Sequence, residues 1–412
     1  MKRTALVVAL LQIMLVAPLW ADTPPPDMKV YKYPGLAKTP PMGWNSWNTF
    51  ACNIDEGLIR GMADVMVNSG MRDAGYVYVN LDDCWHGERD ANGFIQPNAQ
   101  RFPSGIKALA DYVHAKGLKL GIYSDAGEKT CGGHPGSQGH EYQDAITYAS
   151  WGIDYLKYDW CNTDDRAPAE AYRTMAKALL AAGRPIVFSA CEWGDNKPWL
   201  WAKPISHSWR TTGDVISCWD CVVSHGNWNS NGVMRILDKQ EGLRQYAGPD
   251  HWNDADMMEV GNMAMVNEDR AHFAMWAMLT SPLIAGNDLR SMTEATRTIL
   301  TNKEVIAIDQ DALGIQGFPY KKEDGVEIWA KPLANGAWAL TFLNRNHESR
   351  KLKFDWRKEN IEDALNKLTP GFDKNIYRVR DLFGHRDVGT TAAPLEIVVP
   401  GHDVAMYRLE RQ

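Results

Sequence analysis

Between residues 42 and 288 the chain repeats one two-part pattern of apolar and polar positions. A short aliphatic, β-branched or aromatic run ends in polar or charged side chains, and a longer stretch at helical spacing follows. The short runs are MGWNSW (42–47), YVYVNLDD (76–83), KLGIYSD (119–125), YLKYDW (155–160), PIVFSACEW (185–193), SWRTTGD (208–214), HWNDADM (251–257) and SPLIAGND (281–288). Runs of this length predict strands. Stretches between them, such as IDEGLIRGMADVMVNSG and IKALADYVHAKG, carry apolar residues three and four apart and stop at glycine, which predicts helices. Eight such units in series predict a parallel sheet closed on itself, a (β/α)8 TIM barrel within residues 22–315. From about Phe318 the period shortens to alternation in VEIWAKPL, AWALTFLNR, YRVRDLF, LEIVVP and VAMYRL, separated by Gly, Asn, Asp and Pro. That pattern predicts an antiparallel β-sandwich over residues 316–412. The basic stretch RKLKFDWRK (350–358) reads as a solvated strand face rather than a polyanion site.

The first 21 residues stand apart. Lys2 and Arg3 precede a mostly apolar stretch from Ala5 to Trp20, and Ala21 closes it before a Pro24-Pro25-Pro26 run. This reads as a secretory leader, too short and wrongly flanked for a lasting membrane span. The expected product is an exported protein, periplasmic or secreted, with no membrane span. Loss of the leader removes two positive charges and takes the formal charge from −7 to −9. Such an acidic chain offers no basic excess for phosphates, so nucleic acid is an unsuitable partner. In an oxidising compartment the seven cysteines are disulfide candidates before metal ligands. Their odd number leaves one unpaired. Cys218, Cys221 and His225 could be read as part of a zinc site, but no second ligand pair accompanies them. No HExxH, Walker loop or GxGxxG occurs. Neither a metal nor a cofactor is expected.

The polar ends of the strand runs carry Asp82, Asp83, Asp125, Asp159, Glu192, Asp214, Asp254, Asp256 and Asp288. In a (β/α)8 barrel the active site lies at the carboxyl ends of the strands. Any one of these residues could be a helix cap. So many carboxylates on one rim repel each other, and caps alone do not explain them. Carboxylate chemistry without a metal points to glycoside hydrolysis, where two acids flank the scissile bond. Asp159 lies two residues from Lys157, on the same strand face, so an ammonium group is expected to lower its pKa. Asp214 lies four residues after Arg210 at a strand-to-loop position suited to an acid/base. The residues alone leave the choice among the nine carboxylates open.

MGWNSWNTF, LDDCW, GIYSDAGEKTC, YLKYDWC, CEWG, SWRTTGD, GPDHWNDADM and AGNDLR occur in that order. Together they resemble the α-galactosidases of glycoside hydrolase family 27, and the likeness runs from about Thr39 through the sandwich region. The resemblance implies hydrolysis of terminal α-linked galactose with retention, through a covalent galactosyl-enzyme. It makes Asp159 the nucleophile and Asp214 the acid/base. It assigns Asp82 and Asp83 to the galactose 4- and 6-hydroxyls, Lys157 and Asp256 to ring hydroxyls, and Arg210 to the region of the 2-hydroxyl. Trp47 becomes the aromatic platform, and Cys191, Glu192 and Trp193 line the 2-hydroxyl side. Tyr123 and Cys131 join the substrate contacts. Disulfides Cys52–Cys84 and Cys131–Cys161 are implied as well. Substrates would be galacto-oligosaccharides or galactomannan side chains.

This chain departs from the family in two places. KPISHSWR lacks the cysteine that pairs with the CEW cysteine in some relatives, so Cys191 is expected to be free. GPDHWNDADM carries Asp250-His251 and Ala255 where many relatives have Gly-Gly and Pro. Three alternatives are disfavoured. A β-L-arabinopyranosidase would leave one of Asp82 and Asp83 facing an absent hydroxyl. An N-acetylgalactosaminidase needs small residues where Glu192-Trp193 stand. A catalytically dead sugar-binding protein would lack Asp159 or Asp214.

Overall fold

The computed structural model describes residues 30–412, so the expected leader lies outside the described residues. Residues 31–412 form one compact unit. Its first part holds strands β1 (Met42–Asn45), β2 (Tyr78–Asn80), β3 (Lys119–Asp125), β4 (Tyr155–Asp159), β5 (Val187–Ala190), β6 (Ser208–Arg210), β7 (Trp252–Asp254) and β8 (Leu283–Ala285). They form one parallel sheet in the order β7-β6-β5-β4-β3-β2-β1-β8. The ends meet just beyond β7, where Met258 bridges Ala285 of β8 in parallel register. The Met258 N–H donates to the Ile284 carbonyl at 2.7 Å. The sheet is therefore closed, as its repeating pattern predicts. Most strands stop short of the polar residues that end their runs, so those residues sit on loops above the barrel.

The helices follow their sequence signals. Helix α1 (Glu56–Asn68) starts at Asp55, whose side chain accepts from the Leu58 N–H, and buries Ile59, Met62, Ala63 and Met66. Helix α2 (Gly105–Ala115) buries Ile106, Leu109, Ala110 and Val113 at the same spacing. Helices α3 (Glu141–Trp151), α4 (Pro168–Ala181), α5 (Val233–Lys239) and α6 (Val266–Leu279) continue the alternation. The fifth unit differs from expectation: β5 runs to β6 through a 3-10 turn, Pro198–Leu200, in place of an α-helix. Gly194, Pro198 and Pro204 interrupt any helical period there.

The second part is the expected sandwich. Strands β9 (Phe318–Glu323), β10 (Val326–Pro332), β11 (Trp338–Asn344), β12 (Arg350–Phe354), β13 (Tyr377–Asp381), β14 (Arg386–Thr390), β15 (Leu395–Val399) and β16 (Asp403–Arg411) divide unequally. Six form an antiparallel sheet, β9-β10-β11-β16-β13-β14, and the antiparallel pair β12-β15 forms the other layer. On β12, Lys351 and Lys353 are exposed while Phe354 is buried, which is the solvated strand face read from RKLKFDWRK. Between the layers lies a core containing Ile328, Leu340, Phe342, Trp356 and Tyr407. Trp329, Leu343, Val404 and Met406, from the same large sheet, join the core of the barrel instead. That is why β10 and β11 are buried along their whole length rather than alternating. Helix α6 is caught between barrel and sheet and is buried on nearly every face. The Lys331 ammonium crosses the junction to the Ala277 carbonyl at 3.0 Å and the Thr280 hydroxyl at 3.2 Å.

Because barrel and sandwich share a core, they should unfold together. Leu343→Ala should cost about 2–4 kcal/mol. Calorimetry should show one transition moving to lower temperature, and two separated transitions would refute the shared core.

Candidate active site

Every polar residue gathered at the carboxyl ends of the strands is placed by the strand or loop that carries it. Asn45 ends β1, Asp82 and Asp83 follow β2, and Tyr123 and Asp125 lie on β3. Lys157 and Asp159 lie on β4, Cys191, Glu192 and Trp193 follow β5, and Arg210 ends β6. Asp214 stands on the loop after β6, with Asp254 and Asp256 at the end of β7 and just beyond it.

Two cations organise these acids. The Lys157 ammonium donates to Asp82 Oδ2 at 2.8 Å, and the Asn45 amide donates to the same oxygen at 2.7 Å. Asp83 is fixed by backbone donors, from Cys84 at 2.6 Å and Gly132 at 2.7 Å. Both aspartates are only 1% exposed. On the other side, Arg210 Nη2 lies 3.0 Å from Asp214 Oδ1 and 2.8 Å from Asp256 Oδ2. Asp256 also accepts from the Val215 and Met257 amides at 2.8 and 2.7 Å. Asp254 braces this loop by accepting from the Asp256 N–H at 2.9 Å. Such charge-assisted bonds fix the carboxylates with little freedom.

Burial and mutual repulsion decide the protonation of the cluster. Burial pushes the Asp159 carboxyl up to about 6, Lys157 opposes that rise, and Asp214 and Asp82 reinforce it. The lowered pKa expected from Lys157 is thus overruled by desolvation, and the ammonium spends its hydrogen bond on Asp82. Burial raises Asp125 too, with Asp159 adding to the rise. Burial also raises Asp256, against the pull of Arg210. The Glu192 carboxyl is pushed up to about 7 by burial, with Oε2 accepting from the Asn196 N–H and Oε1 left unpaired. Tyr123 stands among four of these acids, its phenol raised by burial and then by Asp159, Asp83, Asp125 and Asp82. Asp214 differs from Asp159 in exposure, with a side chain 37% exposed against a residue 5% exposed.

Left-handed backbone at Cys84 (φ 73°), Trp193 (φ 58°) and Asp256 (φ 82°) marks the same rim. Non-glycine residues in this conformation concentrate at functional sites. Gly194 follows at φ 80°, and a Cβ there would lie 2.2 Å from the Thr211 carbonyl oxygen. Trp47 and Trp193 are half-buried.

Cys52–Cys84 joins the loops after β1 and β2, and Cys131–Cys161 those after β3 and β4. Cys218 pairs with Cys221, and His225 bonds the Ser230 hydroxyl, so the zinc reading of that segment fails. Cys191 is free and buried, and Arg210 Nη1 lies 3.6 Å from its sulfur. Asp288 is a correction: it caps the 3-10 turn Leu289–Ser291 and pairs with Arg290, apart from the cluster. Sequence reasoning missed Asn45, whose signal was its place within MGWNSW, beside Trp44 and Trp47.

A closed barrel with paired carboxylates at its strand ends and a sandwich behind defines a carboxylate-dependent glycoside hydrolase. Comparison narrows the class. Residues 39–311 match the family described as alpha galactosidase A, and residues 323–409 match the alpha galactosidase C-terminal beta sandwich domain. Alpha-galactosidase A of Cellvibrio japonicus is 61% identical over 92% of this chain and 93% of its own. Alpha-galactosidase 2 of Arabidopsis thaliana is 49% identical over 92% and 91%. The Saccharomyces cerevisiae α-galactosidase solved with raffinose superposes with a TM-score of 0.85 at 31% identity, covering 94% of this chain and all of that one. The chain belongs to the α-galactosidase family, glycoside hydrolase family 27.

A raised pKa makes ionised Asp159 a burden on the fold. Its folded value lies above the unfolded one, so Asp159→Asn should gain stability above pH 6 and lose that gain as pH falls through the unfolded carboxylate range. Thermal melts should show the variant several degrees more stable at pH 7 and nearly equal to wild type at pH 3.5. A variant less stable at both pH values would contradict this.

Proposed function

We propose that Asp159 and Asp214 are the nucleophile and the acid/base of the double displacement that this chain performs. The enzyme is a retaining α-galactosidase: it hydrolyses terminal non-reducing α-D-galactose through a galactosyl-aspartate. In the first step an Asp159 oxygen attacks galactose C1 and the bond to the leaving oxygen breaks. Asp214 gives that oxygen its proton. In the second step water attacks C1, its proton returns to Asp214, and the bond to Asp159 breaks. Two inversions release α-galactose. The observation that carries the assignment is the contrast between the two acids: Asp159 is enclosed beside Lys157, while Asp214 is held by Arg210 and open to the water it must activate.

The same reading gives Asp82 and Asp83 the 4- and 6-hydroxyls, with Lys157 and Asp256 on ring hydroxyls and Arg210 near the 2-hydroxyl. Trp47 supports the apolar sugar face, Tyr123 and Cys131 add contacts, and Cys191, Glu192 and Trp193 fill the 2-hydroxyl side. Buried acids already bonded to protein donors reject a sugar that leaves them unpaired, which gives selectivity for galactose. Catalysis is assigned to residues 22–315 and a supporting role to 316–412. The reading extends to raffinose-type or galactomannan substrates. It also includes export to the periplasm or beyond, supported by three disulfides. Among the described residues, no helix is long and apolar enough to cross a membrane.

Since Asp159 must be ionised to attack, kcat/KM should fall as pH drops below about 6. Lys157→Met removes the charge that holds that value down, so the acid limb should move to higher pH; an unmoved limb would separate Lys157 from Asp159. Proton NMR during hydrolysis of an α-galactoside, run beside a β-L-arabinopyranoside and an α-N-acetylgalactosaminide, tests the whole scheme. Fast release of α-galactose first is expected. β-Galactose appearing first, or preference for either other glycoside, would overturn it.

A further inference from the structure

The loop that carries Asp214 continues into a hairpin that the chemistry above leaves unused. Strand Val222–Ser224 pairs antiparallel with Asn229–Asn231 across the Gly226-Asn227 turn, where Gly226 has φ 94°. The base of the hairpin is fastened to the acid/base. The Asn231 N–H donates to the Asp214 carbonyl at 2.8 Å, Val215 bridges Asn231, and the Cys218–Cys221 disulfide closes the approach. Ser230 and Asn231 are buried against this loop, whereas everything from Val222 to Asn229 is exposed.

The exposed end carries an unusual load. Among the described residues Trp228 is the one exposed tryptophan, at 48%, with Val222 and Val223 at 51% and 42% beside it. The His225 ring stacks on the indole with centroids 4.0 Å apart, and a His225–Ser230 bond of 2.9 Å holds the imidazole in place. One indole face is therefore propped and the other is open. An exposed indole stacked and braced in this way presents one open aromatic face. No Asp, Glu, Lys or Arg occurs from Cys221 to Met234, while Ser224, Asn227 and Asn229 supply polar side chains. An uncharged indole rimmed by amides and a hydroxyl suits a neutral polyhydroxylated ring, whose C–H face stacks on the aromatic and whose hydroxyls meet the rim. Trp228 lies three residues from Asn231, roughly 10 Å along the strand from the Asp214 backbone. As the proposed acid/base, Asp214 faces the bond to be cut, and a platform fastened to its loop is within reach of a leaving-group sugar.

We infer that the Trp228–His225 hairpin is a binding platform for the leaving-group saccharide, selecting galactose borne on a neutral oligosaccharide or polysaccharide chain over galactose on a small aglycone. This rests on the assignment of Asp214 above. The test compares wild type with Trp228→Ala on methyl α-galactoside and on a galactosylated mannotetraose. Loss of one stacking contact should lower kcat/KM on the oligosaccharide about tenfold, mainly through KM. Methyl α-galactoside should be cleaved within about twofold of wild type, and Trp228→Phe should recover most of the loss. Equal losses on both substrates would make the hairpin only a support for Asp214, and no loss on either would remove the platform. A wild-type dimer that becomes monomeric with Trp228→Ala in sedimentation, without the substrate-selective loss, would make the face a contact with a second copy and overturn the proposal. Failure of the galactosidase reading would show separately, as wild type inert on methyl α-galactoside. Calorimetric binding of the oligosaccharide to Asp159→Asn, with and without Trp228→Ala, reads the platform without turnover and should show the same loss.

Discussion

Two cations, Lys157 and Arg210, hold together a cluster of acids that would otherwise not tolerate burial. Most of the cluster is buried at the strand ends, where water screens it poorly, and burial and nearby carboxylates together raise Asp159, Asp125 and the Tyr123 phenol. Lys157 takes Asp82, while Arg210 bridges Asp214 and Asp256. With either cation gone, several acids would be left to share protons, and the distinction between an attacking carboxylate and a proton donor would blur. The surrounding architecture serves to hold these bonds. Closure of the sheet at Met258 sets the spacing of the strands, and two disulfides fasten the loop that carries Asp83 and the loops that follow Asp125 and Asp159. The sheet behind α6 supports the strand ends near Asp256, whose carbonyl accepts from the Trp276 indole at 2.8 Å.

The arrangement trades stability for reactivity. An ionised Asp159 is disfavoured by its surroundings, and in the role proposed for it that same discomfort favours forming a bond to carbon and shedding its charge. Left-handed backbone at Cys84, Trp193 and Asp256 adds strain at the same place, sustained by the packing beneath. Glu192 extends the theme: it is a buried acid with one unpaired oxygen, which in the proposed reading a sugar hydroxyl completes.

Much of this was legible in the sequence because barrel strands announce their ends. An apolar run stopping at Asp or Glu marks both a strand and its carboxyl end, and eight of the nine carboxylates picked that way fall within the proposed active site. Asp288 does not, because a cap and a catalytic acid look alike in one dimension and only the Arg290 contact separates them. The residues alone could not choose Asp159 and Asp214 from their neighbours, since burial and exposure decide that and neither is written locally; the family motifs supplied the choice. The sign of the Asp159 shift was misjudged for the same reason, as an i,i+2 neighbour is visible and a desolvated cavity is not. Helix content failed only between β5 and β6, where two prolines and a glycine should have been weighed against the repeat. Burial of both faces of β10 and β11 followed from a partner layer that their own pattern does not encode.

The most direct test of the account is to trap the covalent intermediate. A fluorinated α-galactosyl fluoride should inactivate the enzyme with one galactosyl group bound, and peptide mass mapping should place that group on Asp159 within YLKYDWC. A label on Asp125, Asp214 or Asp256, or inactivation with no covalent adduct, would contradict the assignment on which the reading of the site depends.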